Sequence, residues 1–463
     1  MVTDSGARDP GPSVLDRVFK AYDVRGTVPD QIDPTLARAT GGAFVDVTGA
    51  DRVVVGRDMR PSSPELADAF ADGASAAGAD VVMIGLAATD QLYFASGHLD
   101  VPGAMFTASH NPAQYNGIKL CYAGARPVGR DTGLTEIRDR VAGGAAYGSR
   151  RRGEVTERDV LDDYVDHLLS LAPVSGRPLR VVVDAGNGMA GHTAPAVFAR
   201  LGADRVALVP MFFELDGTFP NHEANPIEPA NLVDLQRRVL QEEADVGLAF
   251  DGDADRCFLV DERGEPVSPS VLTALIAGRE LAREPGATVI HNLITSRAVP
   301  ELVTELGGRP VRTRVGHSFI KTTMAETGAV FGGEHSGHFY FRDFWSADSG
   351  MLAALHALAA LAETSQPLSR LLAEHDRYSL SGEINTTVDD PARVIEEVRT
   401  TYGERLGVTL DELDGLTVSH DDWWFNVRPS NTEPLLRLNA EGRDTATMER
   451  VRDDALSLIR SHA

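Results

Sequence analysis

The serine at position 109 stands in a segment whose residue types suit nucleophilic chemistry. Residues 107–112 read Thr-Ala-Ser-His-Asn-Pro, and residues 116–119 read Asn-Gly-Ile-Lys. The proline and the glycine favour tight turns, which predicts Ser109 on a loop. A serine hydroxyl needs a base, a metal or a nearby positive charge to act as a nucleophile, and His110 and Lys119 can supply such groups. A solvated Asn-Pro turn is the alternative, whereas a serine hydrolase is disfavoured because Gly-x-Ser-x-Gly is absent here.

Three aspartates alternate along residues 251–256, which read Asp-Gly-Asp-Ala-Asp-Arg and directly follow the apolar run 246–250. Carboxylates two residues apart on an extended or looped backbone point to one side. Three negative charges this close repel one another unless a cation lies between them, and Mg²⁺ prefers hard oxygen ligands. An EF-hand is excluded, because its sixth position requires glycine and Arg256 stands there. A solvated acidic hairpin remains the alternative. The aspartates are Asp251, Asp253 and Asp255.

Residues 332–338 read Gly-Gly-Glu-His-Ser-Gly-His, and their alternate polar residues suit the recognition of a sugar. On an extended segment Glu334, Ser336 and His338 would share one face. A carboxylate, a hydroxyl and an imidazole together can donate to and accept from neighbouring sugar hydroxyls. His335 is expected to point away. Taken alone, the segment is also typical of a polar loop.

A fourth polar segment, residues 428–434, reads Arg-Pro-Ser-Asn-Thr-Glu-Pro and predicts a turn that binds an anion. Arg428 can hold phosphate through two parallel hydrogen bonds, and the free backbone N–H groups of a turn add further donors. Shorter features around Tyr22 and Arg25, and around His317, offer additional polar groups that can face a phosphate or another ligand. Each of these features alone is equally typical of an ordinary turn.

The elements that position these segments read as an α/β protein. Short β-branched runs alternate with Ala- and Leu-rich helical patterns. The runs lie at 52–55, 80–84, 179–183, 246–250 and 288–290, and the helical patterns at 64–77, 232–243 and 349–362, the last with an aliphatic stripe. A strand, a Gly-rich turn and a helix recur around 52–77, 179–200 and 288–306, which indicates three similar units in tandem.

The chain is therefore divided into a disordered leader, residues 1–17, and four domains. Three are predicted α/β domains that carry the serine, aspartate and sugar-reading loops, and the fourth is a smaller α+β domain with an antiparallel sheet. The predicted boundaries are 18–152, 153–261, 262–374 and 375–463. A chain of 463 residues agrees with several domains, because single hydrophobic cores stop growing well below this length.

Composition and charge exclude several classes of partner. The net charge of −24 opposes binding to nucleic acid or to an anionic membrane. No apolar run is long enough to cross a membrane, and the N-terminus lacks the apolar core of a signal peptide. The two cysteines, Cys121 and Cys257, lie far apart and fit a reducing environment. We expect a cytoplasmic monomer or small homo-oligomer that acts on small molecules.

Taken together and in this order, the four motifs resemble those of the α-D-phosphohexomutase superfamily, and the resemblance covers about residues 18 to 460. The bacterial phosphomannomutase/phosphoglucomutase branch is the most similar. The resemblance implies three related α/β domains and a mobile C-terminal α+β domain around a central active-site cleft. It also implies an enzyme that interconverts hexose 1-phosphate and hexose 6-phosphate, for mannose and also for glucose.

The resemblance assigns a role to each candidate residue. Ser109 would be the phosphoserine, and a phosphoserine oxygen with the three aspartates would hold Mg²⁺. Hexose 1,6-bisphosphate would be the intermediate and activator. Glu334, Ser336 and His338 would read the 3- and 4-hydroxyls of the sugar. The phosphate that is not transferred would bind Arg428, Ser430, Asn431 and Thr432. The groups lining the reacting end would be Tyr22, Arg25, His110, Lys119, Arg256 and His317.

One departure and several rivals qualify this picture. Members of the mannose/glucose branch often carry a lysine where this chain has Ile294, and Arg297 or Arg314 would have to compensate. Phosphoglucosamine mutases are the chief rival, but they commonly have glycine at the position of Asn431. A glucose-restricted mutase is disfavoured because His338 is present. A non-catalytic sugar-phosphate sensor and a phosphatase that uses the same phosphoserine are the rivals of other classes.

Overall fold

The structure, a computed structural model, describes residues 14–144, 151–429 and 435–461, apart from the side chains of residues 317 and 318. Four sheets follow one another along the chain. The first three mix parallel and antiparallel strands and are flanked by helices, whereas the fourth is antiparallel throughout. This confirms the predicted three related α/β domains followed by an α+β domain.

The first domain builds its sheet in the order β1-β5-β4-β2-β3-β7, with β6 beside β5. Asp33 caps the long second helix by accepting a hydrogen bond from the N–H of Leu36, and Pro34 opens that helix. The helices are α1 (Val14–Val18), α2 (Pro34–Thr48), α3 (Ser63–Ala76), α4 (Thr89–Leu99) and α5 (Leu134–Ala142). The strands are β1 (Val24–Thr27), β2 (Arg52–Arg57), β3 (Asp80–Leu86), β4 (Gly103–Phe106), β5 (Tyr115–Tyr122), β6 (Arg126–Pro127) and β7 (Val155–Glu157).

The second domain has the sheet order β12-β11-β10-β8-β9. Its central strand is buried at every residue, as expected for a strand that helices cover on both faces. The helices are α6 (Leu161–Leu171), α7 (Ala190–Leu201) and α8 (Val233–Gln241). The strands are β8 (Leu179–Asp184), β9 (Val206–Met211), β10 (Val246–Phe250), β11 (Cys257–Asp261) and β12 (Pro266–Val267).

The third domain has the sheet order β14-β13-β15-β16-β17. Its helices are α9 (Pro269–Arg283), α10 (Ala298–Glu305), α11 (His317–Thr327), α12 (Gly350–Ala362) and α13 (Leu368–Leu371). Its strands are β13 (Thr288–Asn292), β14 (Arg309–Thr313), β15 (Phe331–Gly333), β16 (Phe339–Phe341) and β17 (Ala347–Asp348). Helix α12 is buried at every position, so its apolar surface is not the one-sided stripe that the sequence predicted.

The fourth domain has the antiparallel order β18-β22-β21-β20-β19 and its own hydrophobic core. Its strands are β18 (Ser379–Thr387), β19 (Thr409–Asp411), β20 (Leu416–His420), β21 (Trp423–Pro429) and β22 (Leu435–Gly442). Helices α14 (Pro391–Gly403) and α15 (Thr445–Arg460) pack beside this sheet. In contrast, one continuous core joins residues of the first three domains.

The three α/β sheets repeat one topology, and this repetition positions the polar loops. In each sheet the first of three parallel strands lies between the other two. The last of the three is followed along the chain by a strand that pairs with it in antiparallel orientation. The antiparallel hairpins are β4–β5, β10–β11 and β15–β16. The serine loop, the aspartate loop and the sugar-reading segment are the connections of these hairpins, so each domain contributes one equivalent loop.

The structure shifts some predicted limits. Helix α1 begins at Val14, so residues 14–17 are helical and not part of a disordered leader, while residues 1–13 lie outside the described residues. Strand β7 pairs with β3, which extends the first sheet beyond the predicted boundary at 152. Strand β12 pairs with β11, which extends the second sheet beyond 261. Among the described residues no helix combines the length and the apolar composition that a membrane span requires.

Candidate active site

The serine loop holds Ser109 against the aspartate loop. Ser109 is 5% exposed and has a φ of 50°, a left-handed conformation that costs a non-glycine residue about 1–2 kcal/mol. Its hydroxyl donates a hydrogen bond to Oδ2 of Asp251 at 2.8 Å. Its backbone N–H donates to Oγ1 of Thr107 at 2.9 Å. The predicted nucleophile and the predicted metal loop are therefore in direct contact.

A glycine permits this contact. A Cβ atom at Gly252 would lie 2.4 Å from the carbonyl oxygen of Ser109, far inside van der Waals distance. Any larger residue at this position would push the two loops apart. The glycine between the first two aspartates thus serves the approach of the loops rather than a turn of the aspartate loop itself.

The three aspartates are buried and converge, as the sequence predicted. Oxygen atoms of Asp251, Asp253 and Asp255 all lie within 4.8 Å of one another. The ammonium group of Lys119 bridges two of them, at 2.7 Å from Oδ2 of Asp253 and 2.5 Å from Oδ2 of Asp255. The hydroxyl of Thr89 also donates to Oδ2 of Asp253, at 2.6 Å. One predicted cation of the first domain therefore neutralises part of the aspartate loop of the second.

Two carboxylate oxygens of this cluster identify where a metal ion fits. Within the described part of the chain, Oδ1 of Asp253 and Oδ1 of Asp255 are buried and have no hydrogen-bond partner. A buried unpaired carboxylate oxygen is costly and needs an explanation such as a bound ion. A cation shared by these oxygens and Asp251 would have the hard oxygen ligands that Mg²⁺ prefers. The residues present therefore fit the metal.

Burial and opposing charges within the cluster set the pKa values of its members. Burial raises the pKa of Asp255, and the neighbouring charge of Asp253 raises it further. Burial would also raise the pKa of Asp253, but Lys119 outweighs it and holds this pKa well below its usual range. Burial lowers the pKa of Lys119, yet the two aspartates hold it well above its ordinary value. A cation beside Asp255 would lower its pKa, because an opposite charge favours the ionised carboxylate.

His110 and Arg256 lie beside the serine hydroxyl. Arg256 donates from Nε to Oδ2 of Asp251 at 2.8 Å, and its Nη2 contacts Nδ1 of His110. Nδ1 of His110 is also 3.2 Å from Oγ of Ser109. Because a guanidinium can only donate, Nδ1 must be the unprotonated nitrogen. Burial lowers the pKa of His110 well below its usual value, and the charges of Arg256 and Arg25 add to this effect. His110 is therefore neutral.

Arg25 reaches the same loop from β1. Its Nη1 donates to the side-chain oxygen of Asn111 at 2.7 Å, and its Nη2 pairs with Asp23 at 2.5 Å. The side chain is 20% exposed, so part of it remains open to solvent and to a ligand. The structure thus brings together every predicted catalytic residue: Ser109, His110, Lys119, Arg256 and Arg25.

The sugar-reading segment forms a tight turn, which corrects the expectation of an extended segment. The N–H of Gly337 donates to the carbonyl of Glu334 at 3.1 Å, and Gly337 has a φ of 87°. Glu334 accepts from Ser336 at 3.3 Å and from the hydroxyl of Tyr340 at 3.0 Å. Glycine allows the left-handed conformation that closes such a turn, and this folds the segment back on itself.

His338 leaves this turn toward the aspartate loop. Its Nδ1 is 2.9 Å from Oδ2 of Asp348 and 3.7 Å from Oδ1 of Asp255. The ammonium of Lys321 pairs with Oδ1 of Asp348 at 2.7 Å. Burial lowers the pKa of His338, but Asp255 and Asp348 outweigh it and raise this pKa above its ordinary value. The turn and the aspartate loop are therefore electrostatically coupled.

The predicted phosphate-binding turn is only partly described. Arg428 is 6% exposed and pairs through Nη2 with Oε2 of Glu383 at 2.5 Å, while its Nη1 donates to Asn439 at 3.2 Å. Burial lowers the pKa of His335 to about 4; the charge of Glu383 opposes this shift, and the charge of Arg428 adds to it. This places the arginine on the side of the sugar-reading turn. Ser430, Asn431 and Thr432 lie outside the described residues.

The remaining predicted contacts connect the first and third domains. The hydroxyl of Tyr22 lies so close to Gly316 that a Cβ atom at Gly316 would be 2.9 Å from it. The N–H of Gly316 donates to the Glu334 carboxylate at 3.3 Å. The backbone of His317 begins helix α11, but its side chain lies outside the described part. His335 does point away from Glu334, with Nδ1 3.2 Å from Oγ of Ser270.

Ile294, which stands where the resemblance expects a lysine, packs against the C-terminal domain. Ile294 is buried with Leu293 and Trp424. Arg297 donates to the carbonyls of His420 and Asp421 and pairs with Glu441. Arg314 lies over the ring of Phe319, 5.1 Å from its centroid. In the described contacts neither arginine touches the serine loop or the aspartate loop. That Arg297 or Arg314 replaces the positive charge of the expected lysine therefore stays a prediction.

Three residues of the site were missed by the sequence analysis: Arg60, Thr89 and Asp348. Thr89 and Asp348 carry no local signal, because their partners are distant in sequence. Arg60 follows strand β2 in the segment Asp58-Met59-Arg60. A charged pair directly after a buried strand, at the edge where the other loops lie, is a signal that could have indicated it.

Comparison with known proteins gives consistent matches along the chain. Four family models described as phosphoglucomutase/phosphomannomutase match it in succession: the alpha/beta/alpha domain I over residues 16–147, domain II over 162–264, domain III over 269–378 and the C-terminal domain over 383–458. These segments include all the polar loops described above.

Individual relatives match over almost their whole length. A phosphomannomutase from Escherichia coli is 39% identical over 452 residues, covering 96% of this chain and 99% of the relative. Phosphohexose mutases from Xanthomonas campestris are 41% identical over 442 residues, covering 95% and 98%. A crystal structure of a phosphoglucomutase/phosphomannomutase family protein from Burkholderia thailandensis superposes with a TM-score of 0.88 at 34% identity, covering 97% and 98%.

Proposed function

This chain belongs to the phosphoglucomutase/phosphomannomutase family and is a phosphohexomutase of the isomerase class, and from this premise we propose that it acts through a phosphorylated Ser109. The substrates are mannose 1-phosphate and mannose 6-phosphate, and also the corresponding glucose phosphates. Phospho-Ser109 gives its phosphoryl group to the free hydroxyl of the hexose monophosphate. The resulting hexose 1,6-bisphosphate turns over in the cleft and returns its other phosphate to Ser109.

One observation carries this proposal. The Ser109 hydroxyl donates to Asp251, and the neighbouring Asp253 and Asp255 each have a buried oxygen without a partner in the described structure. The proposed nucleophile thus lies next to carboxylates that could bind a cation. Asp251, Asp253, Asp255 and an oxygen of phospho-Ser109 would hold Mg²⁺. When bound, Mg²⁺ offsets the negative charge of the phosphoryl group in transfer.

The residues around the serine have distinct tasks. Lys119 and Arg256 supply positive charge at the transferred group, each already fixed by aspartates of the cluster. Arg25 holds Asn111 of the serine loop and adds a third positive charge. Neutral His110 accepts from Arg256 and so fixes the direction of that guanidinium. Such prearranged charges cost little reorganisation when the phosphoryl group moves.

The other loops bind the sugar in either orientation. Glu334, Ser336 and His338 read the 3- and 4-hydroxyls, which are present whichever phosphate faces Ser109. Arg428, together with Ser430, Asn431 and Thr432, binds the phosphate that is not transferred, and Tyr22 and His317 complete the lining. Closure of the C-terminal domain would keep the bisphosphate from escaping and exclude water.

The location and assembly of the enzyme are part of the proposal. Both cysteines are free and buried, which suits a reducing cytoplasm. A net charge of −24 opposes binding to nucleic acid. We expect a monomer or a small homo-oligomer, and light scattering coupled to size-exclusion chromatography measures this directly.

The first experiment compares mannose 1-phosphate, glucose 1-phosphate and glucosamine 1-phosphate in parallel, with Mg²⁺ and trace glucose 1,6-bisphosphate. Formation of the 6-phosphates and of free phosphate is followed in the same samples. The proposal expects isomerisation of the first two without release of phosphate. Turnover of the glucosamine compound alone would indicate the rival substrate, and free phosphate without isomer would indicate a phosphatase. An inactive protein on all three would favour the sensor.

A further inference from the structure

The guanidinium of Arg60 lies beneath the serine loop and is fully buried, with 0% of its side chain exposed. Its Nη2 donates to the carbonyl oxygens of Ser109 at 2.9 Å and of Asn111 at 2.7 Å. Its Nη1 donates to the carbonyl oxygens of Pro112 at 2.8 Å and of Tyr115 at 3.0 Å. One side chain therefore satisfies three backbone carbonyls of the loop that carries the nucleophile and the carbonyl of Tyr115, where β5 begins.

Hydrogen bonds to Asp58 fix the position of Arg60. Its Nε donates to Oδ2 of Asp58 at 3.1 Å, and its backbone N–H donates to Oδ1 of the same carboxylate at 3.0 Å. Asp58 also accepts from the hydroxyl of Ser63 at 2.6 Å and is completely buried. The five N–H donors of the guanidinium are thus matched by five acceptors, one carboxylate and four carbonyls.

The second domain covers the same side chain. The ring of Phe219 lies over the guanidinium at 5.1 Å. A Cβ at Gly217 would be 2.6 Å from the Cα of Arg60, so this backbone packs directly on the residue. Arg60 consequently lies between the serine loop and the domain that carries the aspartates, without facing the cleft.

The loop needs such a partner. Between Phe106 and Tyr115 it belongs to no strand, so the sheet does not satisfy its carbonyl groups. The carbonyl of Ser109 points toward Arg60. The N–H of His110 therefore points to the opposite side, because the two groups of a trans peptide point in opposite directions. The hydrogen bond from Arg60 also stabilises the left-handed conformation of Ser109, which is unfavourable by itself.

We propose that Arg60 is a positioning residue that fixes the conformation of the 109–115 loop, so that the Ser109 hydroxyl faces Asp251. The proposal rests on the proposed function in so far as Ser109 carries the phosphoryl group. Arg60 has no free donor and no exposed surface, so it does not touch substrate. Lysine cannot replace it, because a single ammonium has three donors and lacks the fork that reaches four carbonyls.

The test is the rate at which Ser109 accepts a radiolabelled phosphoryl group from glucose 1,6-bisphosphate, measured by rapid quench. Arg60→Lys should slow this step at least about 100-fold, since small misplacements of reacting groups have effects of this size. Substrate binding is measured separately by calorimetry with glucose 1-phosphate in a Ser109→Ala background. There Arg60→Lys should keep full stoichiometry and a Kd within about twofold, because the binding residues are untouched.

A stability control separates positioning from a general loss of folded protein. Ile137→Ala removes a fully buried side chain of α5 from the core of the same domain and so lowers stability without changing a contact of the serine loop described above. This variant should accept the label at the wild-type rate. Reduced calorimetric stoichiometry in Arg60→Lys would mean that the loss is structural, and labelling within about threefold of wild type would equally overturn the proposal.

Should Arg60→Lys fail to fold, Asp58→Asn decides the question. This variant weakens the anchor at Nε while the carbonyl contacts remain, so labelling should slow by about 5- to 20-fold with unchanged binding. A wild-type rate in Asp58→Asn would then reject the positioning role. Failure of the proposed function has a different signature: wild-type protein would itself take no label on Ser109.

Discussion

At the scale of single residues, Ser109 is the side chain on which the proposed reaction depends most. Ser109→Ala removes the oxygen that carries the phosphoryl group, its hydrogen bond to Asp251 at 2.8 Å, and its longer contacts with His110 and Arg256 at 3.2 and 3.4 Å. We expect kcat/KM for mannose 1-phosphate to fall at least about 1,000-fold. The thermal midpoint should move by no more than about 2–4 °C, as expected for a loss near 1 kcal/mol.

A second serine provides the control for this variant. The hydroxyl of Ser170 is exposed at the end of α6 and donates only to the carbonyl of His167. Ser170→Ala should isomerise mannose 1-phosphate at the wild-type rate. Activity in Ser109→Ala that matches Ser170→Ala would remove Ser109 from the reaction.

The charge of Asp253 is the next expected requirement. Asp253→Asn keeps the shape of the side chain but removes the charge from a buried oxygen that has no described partner. Mg²⁺ affinity should fall at least about 10- to 100-fold, which is the loss seen when residues that hold the ligands of a metal are changed. Excess Mg²⁺ should not restore turnover. Calorimetric titration with MgCl₂ and activity at rising Mg²⁺ check this.

Asp234, an exposed carboxylate on α8, is the matched control. Asp234→Asn changes the net charge equally but lies outside the cluster, so Mg²⁺ affinity and turnover should stay at wild-type values. Full rescue of Asp253→Asn by Mg²⁺ would place Asp253 outside the metal site.

The sequence revealed residues whose chemistry is concentrated in one loop and concealed those whose role depends on distant contacts. The alternating aspartates are recognisable because three like charges need a common explanation. Thr89 is not, since its partner Asp253 lies 164 positions away. Arg60 likewise contacts the serine loop from 49 positions away. The charged segment after β2 could have marked Arg60 itself, but a single sequence without tertiary contacts cannot indicate which distant residues such side chains contact.

At the scale of elements, apolar runs predicted the strands well, whereas turn geometry was harder to predict. β10 spans Val246–Phe250, as its uninterrupted apolar run indicates. The turn at Glu334–His338 was expected to be extended because its polar residues alternate, but Gly337 allows a reversal that alternation does not reveal. Short edge strands such as β7, with every residue exposed, leave no apolar pattern by which to draw a domain boundary.

The ion pair that joins α11 to β17 carries the next prediction. Lys321 and Asp348 are 2% and 4% exposed. Burial would raise the pKa of Asp348, but Lys321 and His338 outweigh it and hold this pKa well below its usual range. Lys321→Met should destabilise the protein by about 3–5 kcal/mol, because it removes one partner of a buried ion pair and leaves Asp348 with His338 alone. Denaturation in urea, compared with Lys20→Met at an exposed lysine, measures the loss.

A double variant distinguishes the two tasks of Asp348. Lys321→Met combined with Asp348→Leu removes both charges and should recover most of the lost stability, because an apolar pair of similar volume is often neutral. It should not recover turnover, since His338 then lacks its partner at Nδ1. Equal stability of Lys321→Met and Lys20→Met would show that the pair contributes nothing.

At the scale of the whole molecule, Asp90 ties the three α/β domains together. It lies on α4 of the first domain and accepts from the hydroxyl of Tyr164 on α6 at 2.8 Å. It also accepts from Ser349, the N-cap of α12, at 2.6 Å. Its other carboxylate oxygen is buried and has no partner within the described residues. One side chain thus links elements of three domains.

This junction makes stability depend on pH. Burial raises the pKa of Asp90 to about 7; the hydrogen bonds from Ser349 and Tyr164 oppose this shift, and the charges of Asp255 and Asp348 add to it. Because the unfolded chain releases this proton near pH 3.9, the folded state binds more protons between about pH 4 and 7. The contribution of Asp90 to stability therefore falls as pH rises through this window, by up to about 1.4 kcal/mol per pH unit, and is constant above it.

Asp90→Asn should remove this dependence, since an amide keeps an oxygen to accept from Tyr164 and Ser349 but does not titrate. We expect the thermal midpoint of the wild type to fall relative to the variant as pH rises from 5 to about 7, and the difference to stay constant above about pH 8. Thermal unfolding in EDTA at each pH measures it, with Asp68→Asn on the exposed face of α3 as the control. Parallel wild-type and Asp90→Asn curves would mean that Asp90 is ionised in the folded protein. The junction of the three domains would then bear a negative charge at every pH at which the enzyme works.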